Sequence, residues 1–199
     1  MIFSLMEVID AIILTLAIGF IFKDSFKIQT DYTDDPVAYY SSSKLFYEGF
    51  ITAIIITAPA IILHEMGHKF VALYFGMQAT FHASYTWLGI AVVLKLINPA
   101  FIFLVPAFVS WGCLTSICAS NLTAMPFIPA LIAFAGPGIN LFLWVLPSVL
   151  PKFIKIPHKY LAYLYLSAKI NMFLFIFNML PIPGFDGFHF FSVLLSYFF

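Results

Sequence analysis

The chain has 199 residues, of which 63% are hydrophobic and 9% charged, with a formal net charge of zero at pH 7. A soluble domain carries about 25% charged residues, so this composition excludes one and indicates an integral membrane protein. Its basic residues are all lysine, with no arginine to clamp a phosphate bidentately, and nothing in the balanced charge suggests nucleic acid, so no nucleic-acid partner is expected.

Helices satisfy their own backbone groups in lipid, so the expected fold class is an all-α polytopic membrane protein of about four to five transmembrane helices. The first span is expected over Met1 to Phe22, whose length gives about 33 Å of helix, enough to cross a bilayer core. Glu7 and Asp10 near its start are placed at an interface. They lie within the apolar run and no lysine precedes it, so the segment is not read as a signal peptide. Lys23 to Glu48 is polar and is read as an exposed loop with a short helix near its end. Gly49 to Phe75 is the second span, and Gly76 ends it, as glycine often does just past a helix.

Residues 77–100 change character. Aromatic, threonine and small polar residues between Met77 and Trp87 hold no helical apolar stripe, so a strand-like or re-entrant segment is expected after the second span. Phe101 to Ala119 is long enough to span but is interrupted by Pro106, Ser110 and Gly112, so a full span and more re-entrant chain both stay open. Cys113 and Cys118 are five apart without a CxxC pattern and are read as buried thiols rather than a disulfide or metal ligands. Phe127 to Leu150 is a further span. It contains Gly136-Pro137-Gly138-Ile139-Asn140, where glycine and proline loosen the helix and permit close backbone approach. Asn140 is read as a helix–helix hydrogen-bonding group. After a lysine-bearing loop at 151–159, the chain is apolar to its end, broken at Pro181, Pro183 and Gly184. Helix breakers inside lipid are tolerated where the freed backbone faces protein or a wet cavity. No repeat or linker divides the chain, which is expected to form one domain over 1–199 with its core over about 49–199.

The second span carries His64-Glu65-Met66-Gly67-His68. On a helix, residues four apart share a face, so His64 and His68 can hold one metal ion, with zinc the usual choice. Glu65 is turned about 100° from His64, where its carboxylate can take a proton from an attacking water. HExxH also arises by chance on surface helices. At mid-bilayer depth a carboxylate costs about 2.5–3.5 kcal/mol on insertion scales, so ionisable residues there mark function by default. A catalytic zinc usually keeps three protein ligands. Beyond His68 the chain has no glutamate and a single aspartate, Asp186, which follows the break at Pro181–Gly184 and is the best third ligand. His82 remains possible if its segment folds back, His158 lies in a lysine-rich loop, and His189 can share a helix face with Asp186 as a supporting group. Asn178 can hydrogen-bond a substrate carbonyl or an oxyanion.

HEMGH together with Asn178-Met-Leu-Pro181-Ile-Pro-Gly-Phe-Asp186-Gly187 resembles the site-2 protease family of intramembrane zinc metalloproteases. That family pairs HExxH with N-x-x-P-x-x-x-x-D-G on a later helix, and Gly136-Pro137-x-x-Asn140 resembles its intervening core helix. The resemblance implies that His64, His68 and Asp186 bind zinc, that Glu65 is the general base and that Asn178 holds substrate or oxyanion. It also implies that residues 77–94 form strand-like structure able to align an extended substrate. The expected function is an intramembrane zinc endopeptidase acting on a membrane-spanning protein in the lipid bilayer, in a multi-pass protein of the cell membrane. The alternative is a catalytically silent metal-binding or metal-transport protein, which explains the ligands but not Glu65.

Overall fold

The computed structural model describes residues 2–25, 43–100 and 107–196. In chain order the elements are α1 (Leu5–Phe22), α2 (Ser43–Tyr74), β1 (Gln78–Ala83), α3 (Tyr85–Ile97), β2 (Ala107–Gly112), α4 (Ser116–Ala124), α5 (Ile128–Val149), α6 (His158–Asn178) and α7 (Asp186–Leu195), with a 3₁₀ turn at Leu150–Lys152. The protein is an all-α polytopic membrane protein, and its described residues include a small two-stranded sheet. Among the described residues four helical segments are long and apolar enough to cross a bilayer: Leu5–Phe22, Phe46–Tyr74, Ile128–Lys152 and Tyr160–Asn178. The chain separates into two compact units, residues 1–59 with 83–107, and residues 60–82 with 108–199.

In the first unit, α1 starts on a capping box. Ser4 Oγ accepts from the Glu7 amide at 3.2 Å, and Glu7 Oε2 accepts from the Ser4 amide at 2.8 Å. Glu7 and Asp10 are both buried. Asp10 accepts hydrogen bonds from the Ala83 amide at 3.3 Å and from the Tyr85 hydroxyl, which ties the start of α3 to α1. Gly19 lets α2 approach α1, since a Cβ there would stand 2.8 Å from Ile54 Cγ1 and from Phe50 Cε2. Beyond α1, Asp24 pairs with Lys23 and Lys95, each at 3.0 Å. Partial burial pushes the Asp24 carboxyl up, but the hydrogen bonds from the two lysines outweigh it and hold the group below the usual carboxylate range.

Two expectations change here, and one open reading is resolved. The strand-like reading drawn from Met77–Trp87, and carried to residue 94 by the family resemblance, holds to Ala83; Tyr85–Ile97 is a helix. Its opening aromatic and threonine residues favour strands, but Leu88, Ala91 and Lys95 are buried on one helical face, and tertiary packing overrides propensity. The stretch 101–119 is no single span: residues 101–106 lie outside the described residues, Ala107–Gly112 pairs with β1 as a strand, and α4 begins at Ser116. Cys113 and Cys118 form a disulfide, which corrects their reading as thiols. The chain turns between β2 and α4 and brings their Cα atoms to 5.4 Å, inside the range a disulfide bridges. The polar loop expected over 23–48 falls outside the described residues from 26 to 42, and its last part is already helical in α2.

In the second unit, α5 packs against both α6 and α7. Met77, Cys118, Ile128 and Ile132 form a buried cluster with Ala72 near the C-terminal end of α2. Gly76 closes α2 at φ +77°, the left-handed conformation that glycine adopts most readily. The break between α6 and α7 is specified residue by residue. Pro181 and Pro183 disfavour helical backbone at Leu180 and Ile182. Gly184 turns at φ +97°. Phe185 is extended, and α7 starts at Asp186. Gly187 then passes so close to the end of α6 that a Cβ would lie 2.4 Å from the Met179 carbonyl.

Candidate metal centre

His64 and His68 lie one turn apart on α2, both more than nine-tenths buried. Asp186, the first residue of α7, meets them. His64 Nε2 is 3.1 Å from Asp186 Oδ2, His68 Nε2 is 3.3 Å from the same oxygen, and the two Nε2 atoms are 3.1 Å apart. The far side of each ring fixes which nitrogen carries the hydrogen. His68 Nδ1 is 2.6 Å from the Ile132 carbonyl oxygen, which can only accept, so Nδ1–H donates. His64 Nδ1 is 2.5 Å from Asn140 Oδ1. The Asn140 amide nitrogen donates to the Ala60 carbonyl at 3.0 Å, which leaves its oxygen facing His64. Hydrogen-bond partners of this kind assign the tautomer and orient a ligating imidazole.

In the neutral rings, hydrogen on both Nδ1 atoms leaves two Nε2 lone pairs that converge with a carboxylate oxygen on one point. Three acceptors repel at this range, and a cation among them removes the repulsion. The spacing fits the size of the ion. A tetrahedron's edge is about 1.63 times its centre-to-corner distance, so zinc bonds of about 2.0–2.1 Å put ligand atoms about 3.3–3.4 Å apart. The observed separations are 3.1, 3.1 and 3.3 Å. His64, His68 and Asp186 form a group able to hold a metal ion.

The backbone of α5 lies directly against these atoms. A Cβ on Gly136 would sit 2.3 Å from His68 Nε2 and 2.7 Å from His64 Nε2. Gly67 lets α2 and α5 close up, since a Cβ there would meet the Ala135 carbonyl oxygen at 2.7 Å. Ile132, Gly136 and Asn140 recur every four residues along α5, the step that keeps residues on one helix face.

Glu65 is buried and interacts electrostatically with His64, His68 and Asp186. Asn178 is the last residue of α6 and is half-buried; its side chain makes no hydrogen bond among the described residues. The three ligand candidates are therefore brought together, while Asn178 stands at the break that delivers Asp186. His82 is elsewhere: its Nε2 lies 2.9 Å from Ser110 Oγ across the sheet, with its ring against Phe108. His158 begins α6 and is exposed, and His189 is exposed with its ring edge against Phe188. Sequence reasoning missed the role of Asn140 as the acceptor for His64, and it did not single out Asn171, whose Oδ1 accepts from Asn140 at 2.8 Å. The four-residue step from Gly136 to Asn140 was the available signal.

The chain is similar to a protein named "Putative zinc metalloprotease MJ0611" from Methanocaldococcus jannaschii, 35% identical over 186 residues that cover 93% of this chain and 83% of the relative. No family model matches the chain, and no solved structure matches it.

Proposed function

This chain belongs to the zinc metalloprotease family of that archaeal relative, and from that membership we propose that it is an intramembrane endopeptidase of the site-2 type, cutting a peptide bond within or near a transmembrane segment of a membrane protein. The observation that carries the proposal is a His64–His68–Asp186 donor group whose two histidines, with Glu65 beside them, are buried on a helix long and apolar enough to cross a bilayer. The reading treats residues 1–199 as one intramembrane protease domain with its core over about 49–199, set in the cell membrane and serving regulated intramembrane proteolysis.

Zinc is the cofactor, and His64, His68 and Asp186 would hold it. When bound, zinc supplies Lewis acidity, which acidifies water and polarises a carbonyl. Glu65 accepts the proton of the attacking water and returns it to the leaving amine. Asn140 and Ile132 keep His64 and His68 in the tautomer whose Nε2 lone pairs face inward. Asn178 offers an amide to the substrate carbonyl or the oxyanion. β1 pairs with β2 in a two-stranded sheet, strand-like structure of the kind that aligns an extended stretch of substrate. The substrate helix must unwind locally, because an intact helix shields its own carbonyls. A silent metal carrier has no use for a carboxylate at Glu65's position.

The test is cleavage in proteoliposomes of a reporter whose membrane helix carries a helix-breaking residue, with the cut site read by mass spectrometry. The proposal expects cleavage within or near the membrane segment, lost on chelation and restored by zinc. Cleavage confined to soluble peptides contradicts it. Asn178→Ala in the same assay is expected to keep its zinc and slow turnover by about 10²–10³-fold, the scale of losing one oxyanion donor. Unchanged turnover would reduce Asn178 to a packing residue.

A further inference from the structure

Behind His64 runs a buried amide chain that the proposed chemistry does not use. His64 Nδ1–H donates to Asn140 Oδ1 at 2.5 Å. The Asn140 amide nitrogen donates to the Ala60 carbonyl at 3.0 Å and to Asn171 Oδ1 at 2.8 Å. The Asn171 amide nitrogen donates in turn to the Ser167 carbonyl at 2.8 Å, one turn earlier on α6. Asn140 is 0% exposed and Asn171 1%, so neither can exchange these partners for water.

The direction of this chain is not free. An amide can be turned over, exchanging its oxygen and nitrogen, but a backbone carbonyl can only accept. Ser167's carbonyl therefore holds the NH₂ of Asn171 toward itself and leaves the Asn171 oxygen facing Asn140. That oxygen and the Ala60 carbonyl together hold the NH₂ of Asn140 away from His64. The Asn140 oxygen then faces His64, which must carry a hydrogen on Nδ1, so that the neutral ring presents Nε2 as its lone-pair nitrogen.

We propose that Asn171 is a positioning residue for the metal site: through Asn140 it locks the orientation and tautomer of His64, although it touches neither ligand nor substrate. The inference rests on the zinc reading of His64, His68 and Asp186. It assigns to α6 a second contribution, seven residues before Asn178, distinct from the substrate-facing one. Without the Asn171 oxygen, Asn140 keeps a single acceptor for its NH₂, and the turned-over amide, which presents NH₂ to His64 and favours the wrong tautomer, becomes accessible.

The experiment compares Asn171→Leu with Asn171→Asp in the full chain by chelator-competition titration of zinc and by the absorption spectrum of the cobalt(II)-loaded protein. Leucine fills the space without a polar atom. Aspartic acid in its protonated form keeps an acceptor toward Asn140 and a donor toward Ser167. Asn171→Leu is expected to weaken zinc binding about tenfold, the lower end of the effect of removing an outer partner of a metal ligand, and to alter the cobalt bands. Asn171→Asp is expected to bind and absorb like the wild type. Wild-type affinity in Asn171→Leu overturns the inference, and so does equal weakening in both variants, which would make Asn171 a packing residue. If Asn171→Leu does not fold, Asn171→Ala removes the amide without adding bulk and is held to the same outcomes. His64→Ala separates the two levels. If it retains zinc, the zinc reading itself fails; if it releases zinc while Asn171→Leu does not weaken binding, only the positioning role fails.

Discussion

Glu65→Gln is expected to bind zinc like the wild type and to lose cleavage by about 10²–10⁴-fold, the contribution of general acid–base catalysis. Glutamine fills nearly the same volume and keeps a hydrogen-bonding oxygen, but its amide cannot accept the proton of the attacking water. The proposed ligands His64, His68 and Asp186 are untouched, and their mutual spacing does not depend on Glu65. Zinc analysis paired with cleavage of the membrane reporter separates the two roles. Cleavage at the wild-type rate would remove Glu65 from the mechanism. A parallel loss of zinc would make it a structural support of the site instead.

Gly136→Ala is the second large effect. In an exposed helix this change is stabilising by roughly 1 kcal/mol. Here the added Cβ would stand 2.3 Å from His68 Nε2 and 2.7 Å from His64 Nε2, among the atoms proposed to hold the metal. The rings cannot swing aside without giving up the Nδ1 hydrogen bonds to Ile132 and Asn140. Zinc affinity is therefore expected to fall by about 100-fold or more, beyond the usual effect of disturbing a ligand's support, and cleavage with it. Gly138→Ala is the control, two residues along the same helix, where the nearest atom to a new Cβ is Phe134 Cε1 at 3.3 Å. It should keep its zinc. Equal zinc affinities for the two variants, measured by competition titration, would contradict the placement of α5 against the ligands.

The contrast between these two residues marks what the sequence makes legible. Glu65 is readable because a carboxylate between two histidines in an apolar run has no inexpensive explanation in lipid. Asp186 is readable by elimination, as the one carboxylate beyond His68. Gly136 is not readable as a site residue, because a glycine in a membrane helix reports close packing without saying against what. Asn140 and Asn171 are hidden for a similar reason: each alone looks like an ordinary interhelical hydrogen bond, and only their joint geometry shows a chain ending on His64. The helical spans were legible from length and apolarity alone, within a few residues at each end. The strand at Ala107–Gly112 and the helix at Tyr85–Ile97 were not, because short apolar segments are decided by their partners rather than by their own period. The Cys113–Cys118 disulfide depends on a turn between two such short elements, and so was lost with them.

The most direct test of the account is the zinc content of the purified protein beside its Asp186→Ala and His82→Ala variants. His82 and Asp186 were the two candidates for the third ligand, and the fold sends one to a cross-strand contact with Ser110 and the other to the paired histidines. The account predicts about one zinc per chain in the wild type, little in Asp186→Ala, and the wild-type content in His82→Ala. Full zinc in Asp186→Ala, or loss of zinc in His82→Ala with Asp186 intact, would contradict a site built from His64, His68 and Asp186.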